Sequence, residues 1–149
     1  MKRFKLLACL MSSIACLCGC GPKMPESDLV DLAYSRHTTA ATAEFEGILQ
    51  RDSAGAFILQ ATREPHGPLC EVKVDEAVAR QFRQIIQEEK MYRYKNVYTP
   101  PFRVYDGWHW SFRAKFADGT IISSHGENAK PKGEGLQRLR SLMEKLIKQ

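Results

Sequence analysis

The sequence predicts an α+β domain, an antiparallel sheet of four to six strands with two amphipathic helices packed on one face. Three observations carry this. Apolar residues alternate over several short segments, as in Phe57-Leu59-Ala61 and Trp110-Phe112. Two longer segments, around Val78 and Leu139, instead repeat at spacings of three and four. Asp52-Ser53-Ala54-Gly55 and Ala117-Asp118-Gly119 place turn residues between alternating runs.

Residues 29–36 read as a first strand. Residues 44–51 and 56–62 form a hairpin, with Phe45 and Leu49 on one parity, and with Phe57, Leu59 and Ala61 on one parity of its second arm. Glu44 and Glu46 share the other, solvated face of the first arm. Pro65-His66-Gly67-Pro68 interrupts the chain, and a strand resumes over 69–74 with Cys70, Val72 and Val74 on one face. Asp75 then offers a carboxylate to the orphan N–H groups of a helix over 76–91. Val78, Phe82, Ile85 and Ile86 make its apolar stripe, and Arg80, Arg83, Gln84, Gln87 and Glu88 fill its polar side.

Residues 92–112 hold eight of the fourteen aromatic residues, with Arg93, Lys95 and Arg103 interleaved. Pro100-Pro101 prevents regular structure in the middle. Such a stretch either lays rings over a sheet edge or stacks a sugar, a base or a peptide. The candidate contact surface is Tyr94, Tyr98, Arg103, Tyr105 and Trp108.

Residues 108–116 and 120–125 form a hairpin whose register has two solutions. A two-residue turn sets Phe116 opposite Ile121; a three-residue turn with a left-handed Gly119 sets Phe116 opposite Thr120. The second suits Ala117-Asp118-Gly119 better. It puts Trp110, Phe112, Phe116 and Ile122 on the core face and His109, Ser111, Arg113, Lys115, Ser123, His125 and Glu127 on the other. A closing helix over 134–147 presents Leu136, Leu139, Leu142, Met143, Leu146 and Ile147 to the sheet.

The N-terminus fixes an expected address. Met1-Lys2-Arg3-Phe4-Lys5 precedes an apolar run over 6–18, about 20 Å as a helix. That is short of the roughly 30 Å bilayer core. Leu17-Cys18-Gly19-Cys20 closes the run as a lipobox, so 1–19 reads as a leader and Cys20 as the lipidated residue. Cys18 stands where a small aliphatic or hydroxyl residue is usual. Residues 20–27, with Pro22 and Pro25, read as an extended tether, and 28–149 as one domain. The expected location is the cell envelope: the outer membrane of a Gram-negative source, given Gly21 after the lipidated residue, or the outer face of a Gram-positive plasma membrane.

Removal of the leader simplifies charge and thiol chemistry. Lys2, Arg3 and Lys5 leave, so 19 of the 22 basic residues face 17 acidic ones, a balance of +2. That is too small to imply nucleic acid. Cys9, Cys16 and Cys18 leave as well and Cys20 carries lipid, so Cys70 remains as a lone thiol, expected as a small buried hydrophobe.

Asp106-Gly107-Trp108-His109-Trp110, Phe116-Ala117-Asp118-Gly119, Ser124-His125-Gly126-Glu127-Asn128 and Pro131 together resemble a group of small, uncharacterised bacterial lipoproteins and exported proteins. Those share a strand, a DG turn, a strand ending in S-x-G and a proline before a closing helix. Their glycine usually follows serine directly, whereas here His125 intervenes. The resemblance covers about the C-terminal half and implies a fold, with no activity attached.

Among reactive groups, no G-x-S-x-G, activated cysteine or phosphate loop occurs. Ser124 and His125 are adjacent on a strand and point to opposite faces. No catalytic residue, metal ligand or cofactor is assigned. The expected function is a non-enzymatic envelope binding or structural module, held to the membrane by lipid and taking a protein or glycan partner. The alternative is a small hydrolase or metal-dependent enzyme using His109, His125 and Glu127.

Overall fold

A computed structural model describes residues 21–38, 43–62 and 67–148. The expected leader, Cys20 and His66 lie outside the described residues. The fold is α+β. Its strands are β1 (Leu29–Thr38), β2 (Ala43–Arg51), β3 (Phe57–Thr62), β4 (Cys70–Val74), β5 (Val97–Tyr98), β6 (Trp108–Phe116) and β7 (Ile121–Glu127). Helix α1 (Glu76–Glu88) follows β4 and α2 (Gly135–Leu146) closes the chain. One sheet runs in the order β4-β3-β2-β1-β6-β7-β5.

This corrects the expected four to six antiparallel strands. The sheet has seven, and β5 pairs with β7 in parallel. β5 is two residues long, between a 3-10 turn (Met91–Arg93) and Pro100-Pro101, too short to carry a periodicity.

The least patterned strand is central. β1 lies between β2, which it meets from Asp31 to His37, and β6, which it meets from Leu29 to Thr38. Its inward residues are Leu29, Leu32 and Tyr34, a three-residue step followed by a two-residue step. The step of three is an irregularity against β6, where Leu29 faces Phe116 and Asp31 already faces Lys115. A second irregularity, between Arg36 and His37, gives β2 one extra residue, Glu44. Such a bulge re-aims side chains. Glu44 consequently ion-pairs with Arg36 (2.6 Å) and reaches Arg140 of α2 (3.7 Å), instead of sharing a solvated face with Glu46.

One face of the sheet and the apolar sides of both helices form the core. Leu32, Phe45, Leu49, Leu59, Phe112 and Phe116 from the strands meet Phe82 and Ile86 of α1 and Leu139 and Met143 of α2. Gly47 makes room for α2: a Cβ there would come within 2.5 Å of the Met143 sulfur. Asp75 caps α1 as expected, its carboxylate accepting from Val78 N–H at 3.0 Å. The helix stops at Glu88, before position 91, because Lys90 takes a left-handed φ of 51°. Cys70 shares its strand face with Val72 and Val74 as expected but is half-buried, not fully enclosed. Among the described residues no helix is long and apolar enough to cross a membrane.

The β6–β7 hairpin adopts the three-residue turn. Lys115 faces Ile121, the Phe116 N–H donates to Thr120 O at 2.9 Å, and Gly119 has φ 86°. Trp110, Phe112, Ala114 and Phe116 are buried, while His109, Ser111, Arg113, Lys115, Ser123, His125 and Glu127 are exposed, as that register requires.

The segment expected as a tether is docked from Met24 onward. Pro25 is buried and Met24 packs on the core. Arg83 of α1 donates to three successive carbonyls, of Pro25 (2.8 Å), Glu26 (3.3 Å) and Ser27 (3.2 Å). Ala117 N–H donates to Asp28 O at 2.8 Å. The chain is therefore fixed at the hairpin-turn end of β1, opposite the end where Thr38 faces Trp108.

Candidate binding site

The five aromatic and basic candidates divide between core and surface. Tyr94, Tyr98 and Trp108 turn toward the helix side. The Tyr94 ring meets Phe112 edge-on at 6.5 Å, and Tyr98 packs on Trp110 at 5.8 Å. The Tyr94 hydroxyl is buried without a hydrogen-bond partner, and burial pushes its pKa up to about 12. Tyr98 accepts the Lys95 N–H at 3.1 Å. Trp108 is half-buried on the core face, with the Arg36 guanidinium over its ring at 4.9 Å. These three lay rings over the sheet edge. Arg103 and Tyr105 are exposed, with the guanidinium 5.4 Å from the ring.

The sequence reading missed Phe102, which is 68% exposed and stands beside Tyr105 at 84%. Proline neighbours and the absence of any apolar partner at fixed spacing were the available signal. Phe102, Arg103 and Tyr105 line a cleft of about 420 Å³ with Thr99, Glu127 and Asn128.

The loop over 99–107 is held at both ends. On one side, His125 N–H donates to Asn96 O (3.0 Å), and the buried Ser124 hydroxyl donates to Lys95 O (2.6 Å). On the other, Asn128 exchanges two bonds with Trp108: its N–H donates to Trp108 O and its Oδ1 accepts from Trp108 N–H, both 2.9 Å. Gly107 permits this, since a Cβ there would overlap the Asn128 amide. Trp110 Nε1 donates to Ala129 O at 2.7 Å, completing the base. The exposed rings are thus presented on a fixed frame.

A second hollow, about 350 Å³, shares Thr99 and Glu127 with the cleft and opens on the helix-free face. It gathers His109, His125 and Glu127, the alternative set, and adds His37. His37 faces His109, which faces Glu127; His125 faces Ser111 in the next row. The sequence could not show His37 there, because its place depends on β1 pairing with the distant β6. The Ser111 and Ser35 hydroxyls hydrogen-bond each other at 2.8 Å. Among the described residues no three His, Cys, Asp or Glu side chains form a group able to hold a metal ion. In a sheet, directly opposed Cβ atoms lie about 5 Å apart and diagonal ones about 7 Å, so this set spreads over a face instead of closing on one point. Ser124 points into the core, away from His125.

No family model, curated protein or solved structure matches this chain.

Proposed function

We propose that this chain is a lipid-anchored, non-enzymatic binding module of the bacterial cell envelope, recognising its partner through Phe102, Arg103 and Tyr105. The observation that carries the reading is the pair of exposed rings on a loop clasped at both ends. Exposed aromatics rimmed by polar groups are typical of recognition surfaces, and a loop held at both ends loses less entropy on binding than a free one.

Lipidation at Cys20 gives the surface a direction. The docked segment ends beside the β6–β7 turn, and the loop stands at the other end of β1. Ten strand residues at about 3.3 Å each separate the two ends by roughly 30 Å. A membrane-held domain of this shape turns its aromatic loop away from the lipid, toward a protein or glycan partner.

Affinity purification of the full-length protein from its own envelope fraction tests the reading. Partner recovery is expected to fall sharply for Phe102→Ala/Tyr105→Ala while the melting temperature holds. Undiminished recovery removes the loop as the contact. Mass spectrometry of the native N-terminus tests the anchor: an unmodified Cys20 removes it.

A further inference from the structure

The helix-free face changes character at its outer end. Toward the anchored end it is electrically paired, with Arg113 bonded to Asp31 at 3.0 Å and Lys115 beyond. Toward the loop end it carries three imidazoles, His37, His109 and His125, around the hydrogen-bonded hydroxyls of Ser35 and Ser111. All three lie on the rims of one hollow, and none is buried. The carboxylates facing them are Glu127, opposite His109 on β7, and Glu46, opposite Ser35 on β2. From the loop side, Thr99 lines the hollow and Arg103 lines the adjoining cleft.

Histidine is the side chain that ordinarily changes charge between pH 5 and 8. With neutral imidazoles the charged group lining the hollow is the Glu127 carboxylate, which repels anions. With all three charged, three cations face that carboxylate, with Glu46 beside them on β2. Glu127 is placed to pair with His109, which leaves His37 and His125 on either flank of a hydroxyl pair able to donate outward. Imidazolium and hydroxyl donors around one space are the groups that hold a carboxylate or phosphate oxygen.

We propose that this hollow is a proton-gated site for an oxyanion group, a carboxylate or phosphate, that fills only when the histidines are charged. The site goes beyond the aromatic loop and stands without it, although the shared Thr99 and Glu127 would let one ligand touch both.

The test uses the full-length protein and inorganic sulfate, a probe whose own charge is constant from pH 5 to 8. Imidazole resonances followed by NMR are expected to shift saturably at pH 5.5, with binding about tenfold or more weaker at pH 7.5. His37→Gln/His125→Gln should abolish the response. Glu127→Gln should strengthen binding at pH 5, where the histidines are charged and a competing carboxylate is gone, and should move the binding window to lower pH, because His109 loses the carboxylate that favours its charged form; a merely unfolded variant cannot give that result. Binding equal at pH 5.5 and 7.5, binding retained in the double histidine variant, or weakening in Glu127→Gln at pH 5 overturns the proposal. Glucuronate in place of sulfate separates two sources of the same chemistry. Tighter glucuronate binding that is lost in Phe102→Ala/Tyr105→Ala marks an acidic sugar spanning hollow and cleft, and equal binding marks a simple anion. Sulfate binding unchanged in that loop variant is expected either way, so failure of the loop reading and failure of this one are distinguishable.

Discussion

The Tyr94 hydroxyl lies against Gly135, the first residue of α2, buried and without a hydrogen-bond partner. A Cβ at 135 would come within 2.7 Å of that oxygen and 2.9 Å of the Met91 sulfur. Tyr94→Phe removes an unpartnered polar atom and is expected to raise stability by up to about 1 kcal/mol. Gly135→Ala overfills the contact and is expected to cost about 1–3 kcal/mol. In a Tyr94→Phe background the same change should cost less, since the nearest atom has gone. Chemical denaturation of the four proteins measures this, and additive effects would disprove the contact. The phenol also leaves an alkaline signature. Its pKa is held near 12 against an ordinary 10.0, so the folded state keeps a proton that the unfolded chain releases. The stability contribution is complete below pH 10 and is lost as pH rises toward 12. Tyr94→Phe should flatten that decline.

The loop clasp gives a second expected outcome. Asn128 sits at φ 52°, a left-handed conformation that asparagine tolerates better than most residues. Asn128→Ala loses the bond from Trp108 N–H and keeps the unfavourable backbone, an expected loss of about 1–3 kcal/mol. Amide hydrogen exchange over 99–108 should accelerate. Phe102→Ala/Tyr105→Ala, on the same loop, removes only exposed rings and should leave stability within about 0.5 kcal/mol of the parent. A large loss in the double variant would mean that those rings are structural.

Arg83 sets a third test. Its guanidinium meets the carbonyls of Pro25, Glu26 and Ser27. Charge-assisted bonds of this kind are each worth about 1.5–3 kcal/mol before exposure discounts them. Arg83→Ala is therefore expected to cost about 1–3 kcal/mol and to free the segment ahead of Leu29. Limited proteolysis should then cut within 24–28, where the parent resists. Arg83→Lys should restore little, because one ammonium cannot serve three carbonyls in fork geometry. Unchanged protease resistance would show that Pro25 burial alone holds the segment.

What could be read from the chain follows physical range. Local signals were legible: the Asp75 cap, the stripe Val78-Phe82-Ile85-Ile86, the turn at Gly119 and the resulting faces of β6 and β7. Each depends on neighbours within a few residues. β1 was legible only in part, because two irregularities displace its alternation, and its central position depends on partners far along the chain. β5 carried no signal, since two residues cannot express a period. The site divides in the same way. The aromatic stretch was visible as composition, but which rings turn inward is decided by Phe112 and Trp110 on β6. His109, His125 and Glu127 were legible once the hairpin register was chosen, whereas His37 joins them only through β1–β6 pairing. Arg83 read as one of several polar helix residues, and nothing local marks the carbonyls that it holds.

Arg138 of α2 joins Glu88 (2.7 Å) and Glu89 (2.8 Å) at the end of α1, which makes the contact between the helices acid-sensitive. Hydrogen bonding to that guanidinium holds both carboxyls below the ordinary glutamate value of 4.5. The depressed folded-state values fix the sign. Stability from the pairs is fully present above pH 4.5, where the unfolded chain is also ionised. It is lost as pH falls through the lower folded-state values, when protonation removes the acceptors. Glu88 faces water, and Arg138 and Glu89 are only half-buried, so the effect is small and weakens with salt. Arg138→Gln is therefore expected to change the melting temperature little at pH 7 and to reduce its decline below pH 4.5. The difference between the two proteins should shrink in 1 M salt, where screening extends over only about 3 Å. A decline below pH 4.5 as steep in Arg138→Gln as in the parent would assign the acid sensitivity to other carboxylates.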